Sequence, residues 1–188
     1  KKHKFQNLNL KVLKILFFSP ILLSIPFFSS INEAKAGLEF QWDQGSGYKR
    51  LKWFQKEYRP RFRNTVFLFL RPRDRRTELL KINLTLPKTY ERVKLNEKNI
   101  SLCKVKIGGF ETRTRCLENT PADIEIKEDN LSLDIYPYNP IPKNKDSYAI
   151  VLKVVNPKRS GLYQFHSFGQ HAGESVSTYL GSWTKMLD

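Results

Sequence analysis

The side chains best suited to chemistry in this 188-residue chain gather near its C-terminal end. Gly173-Glu174-Ser175-Val176-Ser177 is the nearest approach to a nucleophile elbow, G-x-S-x-G, in which a sharp strand-to-helix turn exposes a serine. The last glycine is missing and no strand–turn–helix pattern surrounds it, so a polar loop is expected. His166 and His171 offer two imidazoles, but no third His, Asp or Cys stands at ligand spacing, and a zinc site needs three or four ligands. Asp123, Glu125, Glu128, Asp129 and Asp134 fit no calcium-loop spacing and alternate as on a solvated face. No catalytic residue, metal or cofactor is therefore assigned. The enzymatic alternative is a secreted hydrolase or carbohydrate-active domain. Its site would be assembled from His166, His171, Glu174 and Tyr179 around the 166–179 loop.

Charge carries more information. Residues 49–76 hold eleven basic side chains against Glu57 and Asp74, a net of +9 within a chain whose total is +15. Arg59, Arg61, Arg63, Arg71, Arg73, Arg75 and Arg76, interleaved with Trp53 and Tyr58, are the candidate contacts to an anionic surface. Aromatic rings among arginines also suit nucleic acid, where bases stack and phosphates are held. The N-terminus argues against that partner. Lys1, Lys2 and Lys4 precede an uncharged apolar run over residues 15–31, and Ala34-Lys35-Ala36 then offers small residues at the positions a signal peptidase reads. Pro20 and Pro26 interrupt the run, which suits a discarded leader better than a spanning anchor. Cleavage is expected between Ala36 and Gly37, with a retained anchor as the alternative. Export leaves a membrane surface, an acidic envelope or membrane protein, or an acidic glycan as partners, and places the protein in the periplasm, at the cell surface or in a comparable compartment.

Export also gives meaning to Cys103 and Cys116, the only two cysteines. An even count in an exported chain reads as a disulfide, with two buried thiols as the alternative. Strands flank Gly108-Gly109-Phe110. If Gly109-Phe110 form a two-residue type II′ turn, residues whose numbers sum to 219 face each other, and the two cysteines do.

The elements that must position these groups are mostly strands. Leu80, Ile82, Leu84 and Leu86 alternate with polar residues, as do Leu131, Leu133 and Ile135, and Tyr148, Ile150, Leu152 and Val154. Residues 66–70 form a continuous apolar run, as in a strand covered on both faces. Turn residues recur about every ten positions. The fold class is all-β: an antiparallel β-sandwich, immunoglobulin-like in general architecture. It is preceded by a short basic N-terminal arm or helix, because Tyr48, Leu51, Phe54 and Tyr58 recur at helical spacing before Pro60. The expected organisation is a leader over 1–36, a basic aromatic arm over 37–64 and a sandwich over 65–188.

Several stretches carry a family resemblance: Leu84-Thr85-Leu86-Pro87; Asn139-Pro140-Ile141-Pro142; Asn156-Pro157 with Gly161, Tyr163 and Phe165; then Ala172-Gly173-Glu174 and Tyr179-Leu180-Gly181. Over residues 65–183 the chain resembles a cyanobacterial family of exported proteins known only as a domain of unknown function. His171 stands where that pattern has proline. The resemblance implies a cyanobacterial source, a β-rich fold and a location in the periplasm, at the cell surface or in the thylakoid lumen. It implies no activity. Together these features point to an exported, non-enzymatic binding or structural module.

Overall fold

The computed structural model describes residues 47–188; the leader and the Ala36–Gly37 cut lie outside the described residues. Ten strands follow in order: β1 (Trp53–Gln55), β2 (Arg63–Leu70), β3 (Leu79–Thr85), β4 (Ile100–Lys106), β5 (Arg115–Thr120), β6 (Ala122–Ile126), β7 (Ser132–Pro137), β8 (Ser147–Val155), β9 (Gly161–His171) and β10 (Thr178–Leu187). They form two five-stranded antiparallel sheets, ordered β1-β2-β8-β4-β5 and β10-β9-β3-β7-β6. The all-β sandwich read from the sequence is the observed architecture. Among the described residues no helix is long and apolar enough to cross a membrane.

Alternation explains which residues meet between the sheets. Val66, Leu68 and Leu70 of β2, Ile150 and Leu152 of β8, and Leu133 and Ile135 of β7 enter one core with Phe165 and Trp183. The odd-numbered partners on the first sheet, Phe67, Phe69, Ala149, Val151, Cys103 and Val105, make a second cluster on its other face. This is why residues 66–70 read as an unbroken apolar run: both faces of β2 are apolar. In β3 the expected face is corrected at one position. A bulge between Leu79 and Lys81 turns Leu79 into the core and leaves Leu80 more than a third exposed, while Ile82, Leu84 and Leu86 stay buried as the alternation requires.

The cysteines are bonded, with Cα atoms 5.7 Å apart. Their register differs from the one the 219 rule predicts. Cys103 faces Asn119, and Cys116 faces Val105 past a bulge at the Lys104/Val105 step, so the bridge runs diagonally over the intervening Lys104–Glu118 row. No two-residue II′ turn forms at Gly109-Phe110. Instead the loop spans 107–114, with Gly109 N–H donating to Thr112 O at 3.0 Å and Gly108 N–H to Thr114 Oγ1 at 3.0 Å.

The spacing of Tyr48, Leu51, Phe54 and Tyr58 has no helical origin. The segment is extended and crosses from one sheet to the other. Residues 49–51 run parallel to β10, with Leu51 N–H donating to Ser182 O and Ser182 N–H to Lys49 O, both at 2.8 Å. Two residues later the chain joins β2, pairing Phe54 with Phe67. Leu51 thus enters the main core, and Phe54 joins the outer cluster 6.0 Å from the Phe67 ring. Leu51, Trp53, Phe54 and Gln55 are therefore packed into the sandwich, while the cations between and after them stay at its surface.

A buried polar seam closes this side. Lys185 of β10 is fully buried, its Nζ donating to Gln55 Oε1 and Asn156 Oδ1 at 3.1 Å each. Asn64 Nδ2 donates to the same two oxygens, and Gln55 Nε2 donates to Met186 O at 2.7 Å. Asn156 Nδ2 reaches the carbonyls of Glu57 and Arg59. Trp183 Nε1 adds a bond to Phe69 O at 3.2 Å, also joining β10 to the other sheet. No carboxylate takes part in these contacts, and burial pushes the Lys185 amine down to about 7 from an ordinary value of 10.5.

Between pH 7 and 10.5 the unfolded chain holds a proton on Lys185 that the folded chain has released, so this lysine makes stability rise with pH across that window. Denaturant titrations should show the rise, on the order of a few kcal/mol, shrinking in Lys185→Met relative to wild type. Loss of the bridge in Cys103→Ser/Cys116→Ser should cost about 3 kcal/mol of stability, because the closed loop is short and its closure entropy modest. Thermal melts with and without reductant measure this directly.

Candidate functional site

Strand β2 decides the fate of the basic stretch. Eight residues rising about 3.3 Å each set its two ends roughly 23 Å apart. Tyr58, Arg59, Arg61 and Arg63 lie at one end; Arg71, Arg73, Arg75 and Arg76 lie at the other. The run of cations in sequence thus becomes two separate groups.

At the first end the cations are individually engaged or dispersed. Arg59 pairs with Glu57 at 2.8 Å and lies 4.0 Å from the Phe62 ring centre. That pairing and the backbone N–H groups of Arg59 and Tyr58 hold the Glu57 carboxyl down to about 2. Arg61 has a positive φ of 66° and gives its N–H to Asn156 O and Pro157 O, so it serves the turn while its side chain is exposed. Arg63 is exposed on the outer face of β2, and Tyr58 is 43% exposed.

The second end is denser. Since β1 pairs antiparallel with β2, the crossing segment delivers Lys49, Arg50 and Lys52 beside the end of β2. An open groove of about 530 Å³ lies there, lined by Arg50, Leu51, Lys52, Trp53, Arg71 and Arg73. Trp53 packs on the main core and is half-buried. Arg71 is clamped by Asp74 through Nε and its own backbone N–H, at 2.8 and 2.9 Å. Arg75 is buried: it donates to Leu70 O at 2.6 Å and Asp146 O at 2.9 Å, and its guanidinium sits 5.0 Å from the Tyr148 ring centre. Its surroundings make it a structural residue that ties the 71–76 and 143–146 loops together. Lys143 Nζ reinforces that tie through the carbonyls of Pro72 and Arg75. Arg76 bonds Thr178 Oγ1 at 2.9 Å and lies 3.9 Å from Glu174. Arg50, Lys52 and Arg73 are exposed. Lys49 shows the crowding: burial pushes its amine down, Asp74 opposes this, and Arg71, Arg76 and Lys143 push it further down.

Of the four ingredients of an enzymatic site, only His166 and Tyr179 are brought together, on the Ser182 hydroxyl. His166 and His171 fall on opposite faces of β9. His166 Nδ1 meets Ser182 Oγ at 2.8 Å, and Tyr179 Oη meets the same hydroxyl at 2.6 Å. Burial lowers the His166 pKa. His171 turns inward and meets Thr77 Oγ1 at 3.2 Å. Glu174 faces Thr178 and Arg76. Ser175 and Ser177 are exposed beyond β9. Within the acidic cluster Glu125 and Asp134 are ion-paired, while Asp123 accepts from Tyr138 and Asp129 from the backbone N–H groups of Leu131 and Ser132; burial would raise Asp134, but Asn83, Lys81 and Lys127 hold it at about 2, with the lysines at 2.9 and 3.1 Å. Among the described residues no group of three or more His, Cys, Asp or Glu is placed to hold a metal ion.

Sequence reasoning missed Arg50 and Lys52 as members of the site, and it could not separate Arg75 from Arg73. Their positions depend on the crossing segment and on a tertiary cage of carbonyls, neither of which leaves a local pattern.

Solved structures with a related outline include BslA, a bacterial hydrophobin, at 11% identity and a TM-score of 0.45, covering 75% of this chain and 95% of that one. The collagen-binding domain of a Staphylococcus aureus adhesin shows 12% identity and a TM-score of 0.39, covering 72% of this chain and 95% of that one. The collagen-binding subdomain of the Enterococcus faecalis surface protein ACE shows 8% identity and a TM-score of 0.41, covering 73% and 96%. No curated protein matches the chain. A family match begins at residue 42 and so takes in the basic stretch that the resemblance noted in the sequence left out. With residues 42–185 matched, the chain belongs to the family described as protein of unknown function (DUF2808).

Proposed function

We propose that this chain is an exported, non-enzymatic binding module that attaches through exposed basic side chains to an anionic partner. The partner is an anionic membrane surface, an acidic envelope protein or an acidic glycan, met in an extracytoplasmic compartment of a cyanobacterium. The observation that carries this reading is the groove at the end of β1 and β2. Arg50, Lys52 and Arg73 are exposed there, and Asp74, the carboxylate beside them in the loop, is buried and already held by Arg71. Folding has spent the nearby negative charge internally and left the cations outward. Such an arrangement steers a polyanion and holds it by screened, salt-sensitive attraction. The reading needs no reacting group: the His166–Ser182 contact joins a cross-strand pair, and Tyr179 reaches the same hydroxyl from within β10.

The charge-reversed variant Arg50→Glu/Lys52→Glu/Arg73→Glu should lose roughly 100-fold in affinity for an anionic partner at low salt, since each cation near such a surface contributes about 1 kcal/mol. The difference from wild type should shrink as salt rises. Binding titrations at two ionic strengths test this, with Arg61→Glu/Arg63→Glu at the far end as the comparison. Undiminished affinity in the first variant would dismiss the groove. Arg75 behaves differently: Arg75→Ala strands the Leu70 and Asp146 carbonyls and should cost roughly 3 kcal/mol of stability, whereas Arg73→Ala should leave the melting curve where it is.

A further inference from the structure

Phe110 is the most exposed large apolar side chain among the described residues, fully open to water. It sits at the tip of the β4–β5 hairpin, and β5 is the last strand of its sheet, so the hairpin stands at a free corner. Local structure holds the ring outward. The loop is closed by the two hydrogen bonds from Gly108 and Gly109. A Cβ on Gly108 would meet Thr114 N at 2.6 Å and Thr112 O at 2.8 Å, so the turn closes this tightly only with glycine. Below it the Cys103–Cys116 bridge fastens the two strands.

The stalk of this hairpin is basic. Lys106, Arg113 and Arg115 are exposed close to the tip, against Glu111, with Glu118 exposed farther down β5. The hairpin also leaves the same end of the sheet as the groove. Leu70 of β2, Tyr148 of β8 and Lys104 of β4 lie in one row across the sheet. The 71–76 loop and the hairpin therefore emerge together, two strand spacings or about 10 Å apart.

A phenyl ring at the apex of a projecting tip, with cations set back from it, suits a partner that is anionic at its surface and apolar just beneath. A bilayer answers both: headgroup phosphates take the cations while an aromatic ring enters the interface. We infer that the β4–β5 hairpin is a membrane-docking tip, with Phe110 inserting into the interface of an anionic bilayer and Lys106, Arg113 and Arg115 holding its phosphate headgroups. This rests on the basic-module reading above and names the partner. It also gives a reason for a disulfide in a hairpin at the edge of the sheet: a braced tip presents the ring without first having to be ordered.

The test is co-sedimentation of the protein, in the form isolated from cells, with vesicles of equimolar phosphatidylglycerol and phosphatidylcholine, and with phosphatidylcholine alone. Wild type should bind the anionic vesicles in preference. Phe110→Ser, at an open position that folding does not use, should lower partitioning about tenfold. Phe110→Trp should retain binding, and its added emission should be quenched by lipids brominated near the headgroup. Wild-type partitioning by Phe110→Ser, or an unquenched Phe110→Trp, would overturn the docking tip. If Phe110→Ser binds fully while Arg50→Glu/Lys52→Glu/Arg73→Glu does not, the tip is refuted and the basic module stands. If wild type binds alginate or polyglutamate, the probes for an acidic glycan and an acidic protein, and ignores the vesicles, the membrane is refuted with the module intact. Failure of wild type on all three anionic partners would refute both.

Discussion

The seam between β10 and the segment that crosses beside it is the contact on which this structure depends. A two-sheet sandwich must keep its open side from fraying, and here one extended stretch pairs first with β10 and then with β2. The crossing requires backbones to approach closely at Gly181, whose φ is 143° and where a Cβ would meet Lys49 O at 2.6 Å and the Leu51 side chain at 2.7 Å. No larger residue fits that contact, so the glycine of Tyr179-Leu180-Gly181 has a steric reason to be there. Leu51 fills the core below, and the amides of Gln55, Asn64 and Asn156 surround the Lys185 amine. Buried polar groups satisfied by one another are costly to break one at a time, which makes the seam specific as well as strong.

The same crossing organises the surface. By laying residues 49–52 beside the end of β2, it gathers Arg50 and Lys52 with Arg71 and Arg73, residues some twenty positions apart in the chain. Meanwhile β2 itself carries Arg59, Arg61 and Arg63 away to the opposite end. Neighbouring parts of one loop thus take opposite directions: Arg75 turns inward to cap carbonyls, and Arg73 stays exposed to solvent. The two residues are alike in type and nearly adjacent, yet they do different work because only one has carbonyls and a tyrosine ring waiting for it.

Much of the fold is legible in the order of residues. Period-two alternation in β7 and β8 puts Leu133, Ile135, Ile150 and Leu152 on one face, and the doubly apolar β2 announces a strand with apolar neighbours on both sides. These features are local, because a strand's inward face is fixed by its own pleat. The reading slips where a bulge intervenes. At Leu79 one extra residue turns a single side chain to the other face, and in the β4–β5 hairpin a longer loop together with an extra residue at Leu117 moves the pairing off the expected register; nothing in the local composition marks either. It slips again at Tyr48, Leu51, Phe54 and Tyr58, where helical spacing arises from a strand that changes sheets midway.

What the sequence by itself determined is therefore the strand content, the outward or inward side of most strand residues, the pairing of two cysteines in a hairpin and the excess of positive charge near one end of the chain. These follow from side-chain type and short spacing. Only the tertiary structure decided how that charge is distributed, which arginines are exposed, that His166 and His171 turn to opposite faces, and where Phe110 stands relative to the cations. Each of these depends on residues far apart in the chain, brought together by sheet register and by the crossing at Leu51, and such long-range placement has no signature in any short stretch of sequence.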